Sequence, residues 1–186
     1  MNSSAEIVEG QLRECYGRVV YSQKTHEKCA DLLLERNKLI KLLQIILSAL
    51  VTGGILTTFS ATWGTVATVV SAILSTALLA LNSYTKDYDL GEIAQKHRQA
   101  AADIWLIREK YLSLLTDLRA GNVSIEEIRD ARDGVLSELH AVYGGAPSTN
   151  YKAYQKAQEA LKEMEDMTFS DEEVDAFLPK DLKRTV

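Results

Sequence analysis

Two histidines have the residue type and spacing best suited to chemistry in this sequence. His26 lies sixteen residues before an uncharged stretch that starts at Leu42, and His97 lies sixteen residues after Leu81. Helices that continue out of that stretch would therefore bring the two imidazoles to the same depth. Such a pair predicts a polar layer that fixes helix register, a protonation switch or, with Cys29, part of a metal site. All three alternatives stay open.

Polar residues inside the uncharged stretch form a second group. Polar side chains in lipid turn toward another helix or toward water, so this group predicts either a packing seam of a helical pair or the lining of a pore in an oligomer. A glycine pair at mid-span, Gly53 and Gly54, predicts a hinge that lets the spans slide or bend. The polar residues recur at helical spacing and are Gln44, Ser48, Thr52, Thr68, Ser71, Ser75 and Asn82.

Motifs of catalysis are missing from the sequence. It contains no nucleophile elbow, no glycine-rich phosphate loop and no HExxH zinc motif. The acidic pair Glu126-Glu127 lies just inside an expected helix start, where the helix macrodipole favours acidic side chains. We therefore expect a protein that is not an enzyme, with no cofactor and no resident metal.

The element that must position these groups is the stretch from residue 42 to residue 85. Its 44 residues include no Asp, Glu, Lys or Arg, and a break at 60–64 leaves apolar segments of 18 and 17 residues. At about 1.5 Å per residue each segment is about 25 to 27 Å long, near the lower limit for crossing a bilayer core of about 30 Å. The pattern predicts a transmembrane helical hairpin. A buried hairpin in a soluble bundle is the alternative, but a core helix of a small domain normally carries charge on one face.

The Lys and Arg residues predict the orientation of the hairpin. They flank both spans, whereas the connecting turn carries none. The positive-inside rule then places both termini in the cytoplasm. The residues that carry this argument are Lys24, Lys28, Arg36, Lys38, Lys41, Lys86, Lys96 and Arg98.

The arms on either side of the hairpin have helical periodicity. Each shows a seam in which positions alternate by three and four, typical of helices that pack along their length. We therefore expect an all-α fold in which the transmembrane hairpin continues as a cytosolic helical stalk or bundle. The first seam comprises Leu12, Tyr16, Val19, Gln23, His26, Ala30, Leu33, Asn37, Ile40 and Gln44. The second comprises Leu90, Ile93, His97, Ala100, Ile104, Ile107, Tyr111, Leu114 and Leu118.

Capping signals divide the rest of the chain. Ser124 with Glu127 predicts a helix to about Tyr143, and a further helix from Tyr151 has a weakly apolar face that predicts a lid or an oligomer contact. The predicted regions are an N-terminal amphipathic helix (1–41), the hairpin (42–85), further cytosolic helices (86–143) and an acidic helical tail (144–186).

Composition excludes some functions. A net charge of -5 with mixed signs provides no basic surface for direct nucleic-acid binding. The mean hydropathy of -0.10 averages a membrane part and a polar part. Cys15 and Cys29 lie in an arm predicted to be cytoplasmic, so free thiols are expected.

The arm before the first span resembles a known family. Residues 12–21 (LRECYGRVVY) and 24–28 (KTHEK), followed by two spans and a long helix, are similar to the SLATT family, the two-transmembrane effector domains associated with SMODS nucleotidyltransferases, SLOG sensors and reverse transcriptases. The resemblance implies a bacterial inner-membrane effector of antiviral defence that forms a pore or perturbs the membrane when a partner senses infection. It brings no established active-site residues.

Two functions follow as hypotheses. The first is a homo-oligomer in the lipid bilayer that forms or opens a pore and causes abortive infection, triggered by a nucleotidyltransferase, SLOG sensor or reverse transcriptase partner. The alternative is a non-conducting anchor that docks a partner through its cytosolic helices, and a small transporter is a third alternative.

Overall fold

The computed structural model describes residues 3–57, 63–121, 123–164, 169–179 and 183. The predicted turn at 60–62 and Asn122 lie outside these ranges. Six helices follow one another: α1 Ser3–Thr57, α2 Gly64–Asp87, α3 Leu90–Ala120, α4 Ile125–Gly145, α5 Tyr151–Lys162 and α6 Asp171–Phe177. No strand occurs in the described ranges, so the predicted all-α fold with two long apolar helices is confirmed.

Helix α1 is a single helix of 55 residues that includes both the N-terminal arm and the first span. The spacing of Ser3 and Glu6 is that of a capping box and predicts a helix start there, and the structure has one uninterrupted helix from Ser3 to Thr57. The outer part of α1 packs on α3, and its apolar part packs on α2.

The second span and the following helix are separated by a short break that the sequence analysis did not predict. α2 ends at Asp87 and α3 begins at Leu90. The Asp89 carboxylate accepts hydrogen bonds from the backbone N–H groups of Gly91 (2.9 Å) and Glu92 (3.0 Å). Asp89 is therefore the N-cap of α3. Because Asp is a preferred N-cap residue, an Asp directly before Leu90 could have located the break from the sequence.

The extramembrane core lies where α1, α3 and α4 meet. Both predicted seams supply buried residues to it, whereas the seam residues Tyr16 and Leu114 are only half-buried. Tyr111 is the largest of the fully buried side chains. The core residues are Val8, Leu12, Val19, Ile104, Ile107, Tyr111, Leu118, Ile128 and Val135.

The chain turns between α3 and α4 through predicted capping signals. Gly121 ends α3 with a φ of 72°, a left-handed conformation that glycine adopts without a steric penalty. Ser124 and Glu127 form both hydrogen bonds of a capping box at the start of α4. These contacts position α4 across the seam of α1 and α3.

Helix α5 packs on α1 through a face that the sequence analysis did not predict. The predicted face contains Tyr151 and Tyr154, but these side chains are exposed, whereas Ala153, Ala157 and Ala160 are fully buried. Alanine lets two helices approach closely, and a search for large apolar side chains misses it. The alanine face was missed in the sequence analysis, and the proposed lid or oligomer contact through the Tyr151 face stays a prediction.

Candidate functional site

The two histidines meet in the seam between α1 and α3. The Nδ1 atoms of His26 and His97 are 2.9 Å apart, and the ring centroids are separated by 5.0 Å. Each residue is only 3% exposed. A hydrogen bond at this distance needs one donor and one acceptor, so at least one ring is neutral.

Burial lowers the pKa of both imidazoles. For His26 the pKa falls from 6.5 to about 4, because burial disfavours the charged ring and because the charge of His97 would repel it. The pKa of His97 is also lowered, by burial. Both rings are therefore neutral at physiological pH.

The charged side chains around the histidine pair have partners of their own. On α1, Lys24 lies 2.9 Å from a Glu27 oxygen, and Asp31 pairs with Arg98 of α3 at 3.3 Å. One helical turn above His26, Gln23 accepts a hydrogen bond from Arg108 at 3.2 Å. The Glu27 and Asp31 carboxylates are thus paired with cations.

Cys29 points to a different neighbour. Its sulfur accepts a hydrogen bond from the Asn150 amide at 3.8 Å, beside the start of α5, and burial raises the pKa of the thiol. Within the described ranges no group of three or more His, Cys, Asp or Glu could hold a metal ion. The structure therefore gives no support to the hypothesis that Cys29 and the histidines share a metal.

The two spans pack along a narrow seam. Their least exposed residues recur every three or four positions, which defines one face of each helix. The outer faces are apolar and exposed, with Ile45, Leu56 and Ile73 each more than half exposed. The seam residues are Gln44, Leu47, Val51, Gly54, Ala67, Ser71, Leu74, Leu78, Leu81 and Thr85.

The predicted polar group divides between this seam and the outer surface. The Gln44 amide donates to Asn82 Oδ1 at 2.8 Å and to Thr85 Oγ1 at 3.2 Å, which joins the two spans near the bundle. Thr85 was missed in the sequence analysis, although it lies three residues after Asn82. Five members of the predicted group are exposed: Asn82, which bonds Gln44, and Ser48, Thr52, Thr68 and Ser75.

Two of the exposed hydroxyls are bonded within their own helix. Thr52 donates to the Ser48 carbonyl at 2.9 Å, and Thr68 donates to the Gly64 carbonyl at 2.8 Å. A threonine that bonds the preceding turn keeps its oxygen lone pairs available to a neighbour. These hydroxyls therefore present acceptors on the surface of the hairpin.

The two spans approach each other closely at Gly54. A Cβ atom added there would overlap the Ser71 hydroxyl oxygen and lie 3.5 Å from Ser71 Cβ, whereas one added at Gly53 would have no neighbour within 4 Å. Ser71 is buried, and its hydroxyl has no hydrogen-bond partner in the described part of the chain. The glycine pair thus contains one packing residue and one open position, and a hinge there stays a prediction.

The chain has two long apolar helices, and in each of them only 6% of the most apolar window is buried. Together with the packed helical bundle, these helices define a membrane protein of the two-span helical class. A family model, that of the SMODS and SLOG-associating 2TM effector domain family 4, matches residues 8–173. The chain belongs to this SLATT family, as its resemblance to the family indicated. Neither a curated protein nor a solved structure matches it.

Proposed function

We propose that this chain is a membrane effector of a bacterial antiphage defence system, which assembles as a homo-oligomer and forms or opens a pore when a partner sensor is triggered. Its membership in a family of two-transmembrane effector domains supports the membrane and defence parts of the proposal. The partner would be a SMODS-type nucleotidyltransferase, a SLOG sensor or a reverse transcriptase. Pore formation and assembly are argued from the surface of the hairpin.

The exposed hydroxyls carry the argument for a pore. Ser48, Thr52, Thr68 and Ser75 lie on the outside of the hairpin, so they meet lipid in a single copy. Polar side chains in a membrane are more stable in contact with protein or water than in contact with lipid. One hairpin provides neither contact for these side chains. Several copies that turn these residues inward would provide a narrow water path. No acidic or basic residue occurs between 42 and 85, so such a path would select poorly among ions.

Membrane potential tests the pore proposal. Expression with the activated partner is expected to depolarise the inner membrane and arrest growth. Ser48→Leu with Ser75→Leu should slow depolarisation by about tenfold, because a hydrophobic constriction closes a narrow water path. Thr76→Leu is the matched control: Thr76 is also exposed, bonds its own helix at Ala72, and lies on another face of α2. Equal effects of the two changes would contradict a pore lined by the proposed row.

The alternative function is a non-conducting anchor. The segment after α5 supports it, because Phe169 and Phe177 are 70% and 83% exposed beside a well-capped short helix, α6. An exposed apolar pair at the two ends of a short helix, Phe169 just before it and Phe177 at its last position, is suited to docking a partner protein. If deletion of the chain after Gly145 releases a partner into the cytosol while depolarisation never occurs, the chain is an anchor and the pore proposal fails.

Orientation is a separate part of the proposal and has its own test. Both termini are expected in the cytoplasm and Trp63 outside, because the Lys and Arg residues flank the spans and avoid the turn. Single cysteines at Ala5, Trp63 and Thr185, in a chain whose native cysteines are replaced by serine, should react with an impermeant maleimide in intact cells only at Trp63. Thr185 lies outside the described ranges and serves as a label site alone. Labelling of either terminus would contradict this topology.

A further inference from the structure

A groove lies in the furrow between α1 and α2 at the end of the spans nearest the bundle. Its volume is about 490 Å³. The end nearest the bundle carries polar side chains, and the deeper end carries two aliphatic side chains and the Ser48 hydroxyl. The lining residues are Lys41, Gln44, Ile45, Ser48, Leu78 and Asn82.

The depth of this groove in the membrane is set by charges and by one hydrogen-bonded cluster. Lys41 is the last charged residue before the uncharged stretch, and Lys86 is the first one after it. The hydrogen bond from Gln44 to Thr85 places these two boundaries at the same level. The groove therefore crosses the boundary between lipid headgroups and acyl chains.

The polar end of the groove has donors without partners. Gln44 uses its amide N–H groups on Asn82 Oδ1 and Thr85, so the Asn82 amide nitrogen remains as a donor. Within the described ranges that nitrogen has no hydrogen-bond partner, and the Lys41 ammonium forms no ion pair. A cation and a neutral N–H donor side by side are complementary to a phosphate oxygen.

The apolar end of the groove suits a hydrocarbon chain. Ile45 lies one turn deeper than Lys41 on α1, and it is 67% exposed. Leu78 lies one turn deeper than Asn82 on α2. The ligand that combines a phosphate at headgroup depth with a chain below it is a phospholipid.

We propose that this groove is a binding site for one anionic phospholipid, with the phosphate held by Lys41 and Asn82 and an acyl chain along Ile45 and Leu78. The groove shares Ser48 with the row proposed to line the pore, so the lipid is expected on the single hairpin, before that row turns toward other copies. A bound lipid would fill the furrow and link the ends of α1 and α2.

Lipid retention by the full chain tests this site. The protein is placed in nanodiscs of phosphatidylcholine with or without phosphatidylglycerol, extracted, and examined by native mass spectrometry and by thermal unfolding. We expect one retained phosphatidylglycerol per chain and stronger stabilisation by this lipid than by phosphatidylcholine, whose choline cation lies close to Lys41 and repels it. Lys41→Gln and Asn82→Leu should each weaken retention by about tenfold, the loss expected for a hydrogen bond to a charged group.

Lys38→Gln is the matched control, because it removes an exposed cation one turn away that does not line the groove. It should change retention by less than about twofold, since screening weakens the effect of exposed charges outside the site. Lys41→Arg should keep retention, because arginine keeps the positive charge that the phosphate needs. Equal loss with Lys38→Gln, equal retention of both lipids, or a second protein copy in place of the lipid would overturn the proposal.

Discussion

Gly54→Leu is expected to separate the two spans, whereas Gly53→Leu is expected to leave them packed. At Gly54 even a Cβ atom overlaps the Ser71 hydroxyl, so a leucine side chain would push α2 away from α1. At Gly53 a Cβ atom meets no neighbour within 4 Å, and leucine on that open face would contact lipid. Overpacking of a tight contact costs about 1 to 3 kcal/mol, occasionally more.

The expected loss can be measured on the full chain by reversible unfolding in a detergent titration, with a cross-link between the spans as a second readout. Gly54→Ala is expected to cost less than Gly54→Leu, because the Ser71 hydroxyl can rotate away while the two Cβ atoms stay 3.5 Å apart. Adding Ser71→Ala to Gly54→Ala should recover most of that loss. Equal stability of Gly54→Leu and Gly53→Leu would show that the spans do not pack at Gly54.

Acidification is expected to loosen the packing of α1 on α3 through the histidine pair. In the folded protein the pKa of His26 is about 4, whereas the ordinary value is 6.5. The unfolded chain therefore binds the proton at a higher pH than the folded chain does. The stability that depends on neutral His26 is fully present above about pH 6.5 and is lost as the pH falls toward 4. A shift of this size corresponds to about 3 kcal/mol of unfolding free energy.

Thermal unfolding from about pH 7.5 to about pH 4.5 would measure this effect. The double change His26→Leu with His97→Leu should remove most of the difference between the two pH values, because leucines do not titrate. His140→Gln provides the control, since His140 is the third histidine of the chain and is exposed on α4. If the double variant keeps the full pH dependence of the natural sequence, the histidine pair is not its source.

The periodicity of the sequence predicted the long-range packing of α1 and α3. Residues spaced by three and four lie on one face of a helix, so Leu12, Val19 and His26 had to face the same neighbour. The uncharged stretch likewise predicted the two spans, because lipid admits few charges. These features are determined by composition and helical geometry, which are both visible along the chain.

Contacts that depend on the angle between helices could not be predicted in the same way. Both Gly53 and Gly54 have the residue type for a close approach, and only the crossing of α1 and α2 selects Gly54. Ala153 and its neighbours on α5 carry too little apolar surface to mark a buried face by composition. The pairing of Gln44 with Asn82 and Thr85 depends on the relative height of the two spans, which the length of the turn alone does not determine.

The two spans are coupled to the bundle in different ways. α1 is one continuous helix of 55 residues, about 80 Å long at about 1.5 Å per residue, so a rotation of its outer end about its axis turns its membrane part by a similar angle. α2 is separated from α3 by the break before Asp89, where backbone rotation absorbs such a twist. A partner that twists the outer bundle would therefore turn the membrane part of α1 directly, whereas α2 would follow only through its contacts with α1, such as the Gln44 hydrogen bonds. Rotation of α1 about its axis would decide whether its Gly54 face or its Ser48 face lies against α2.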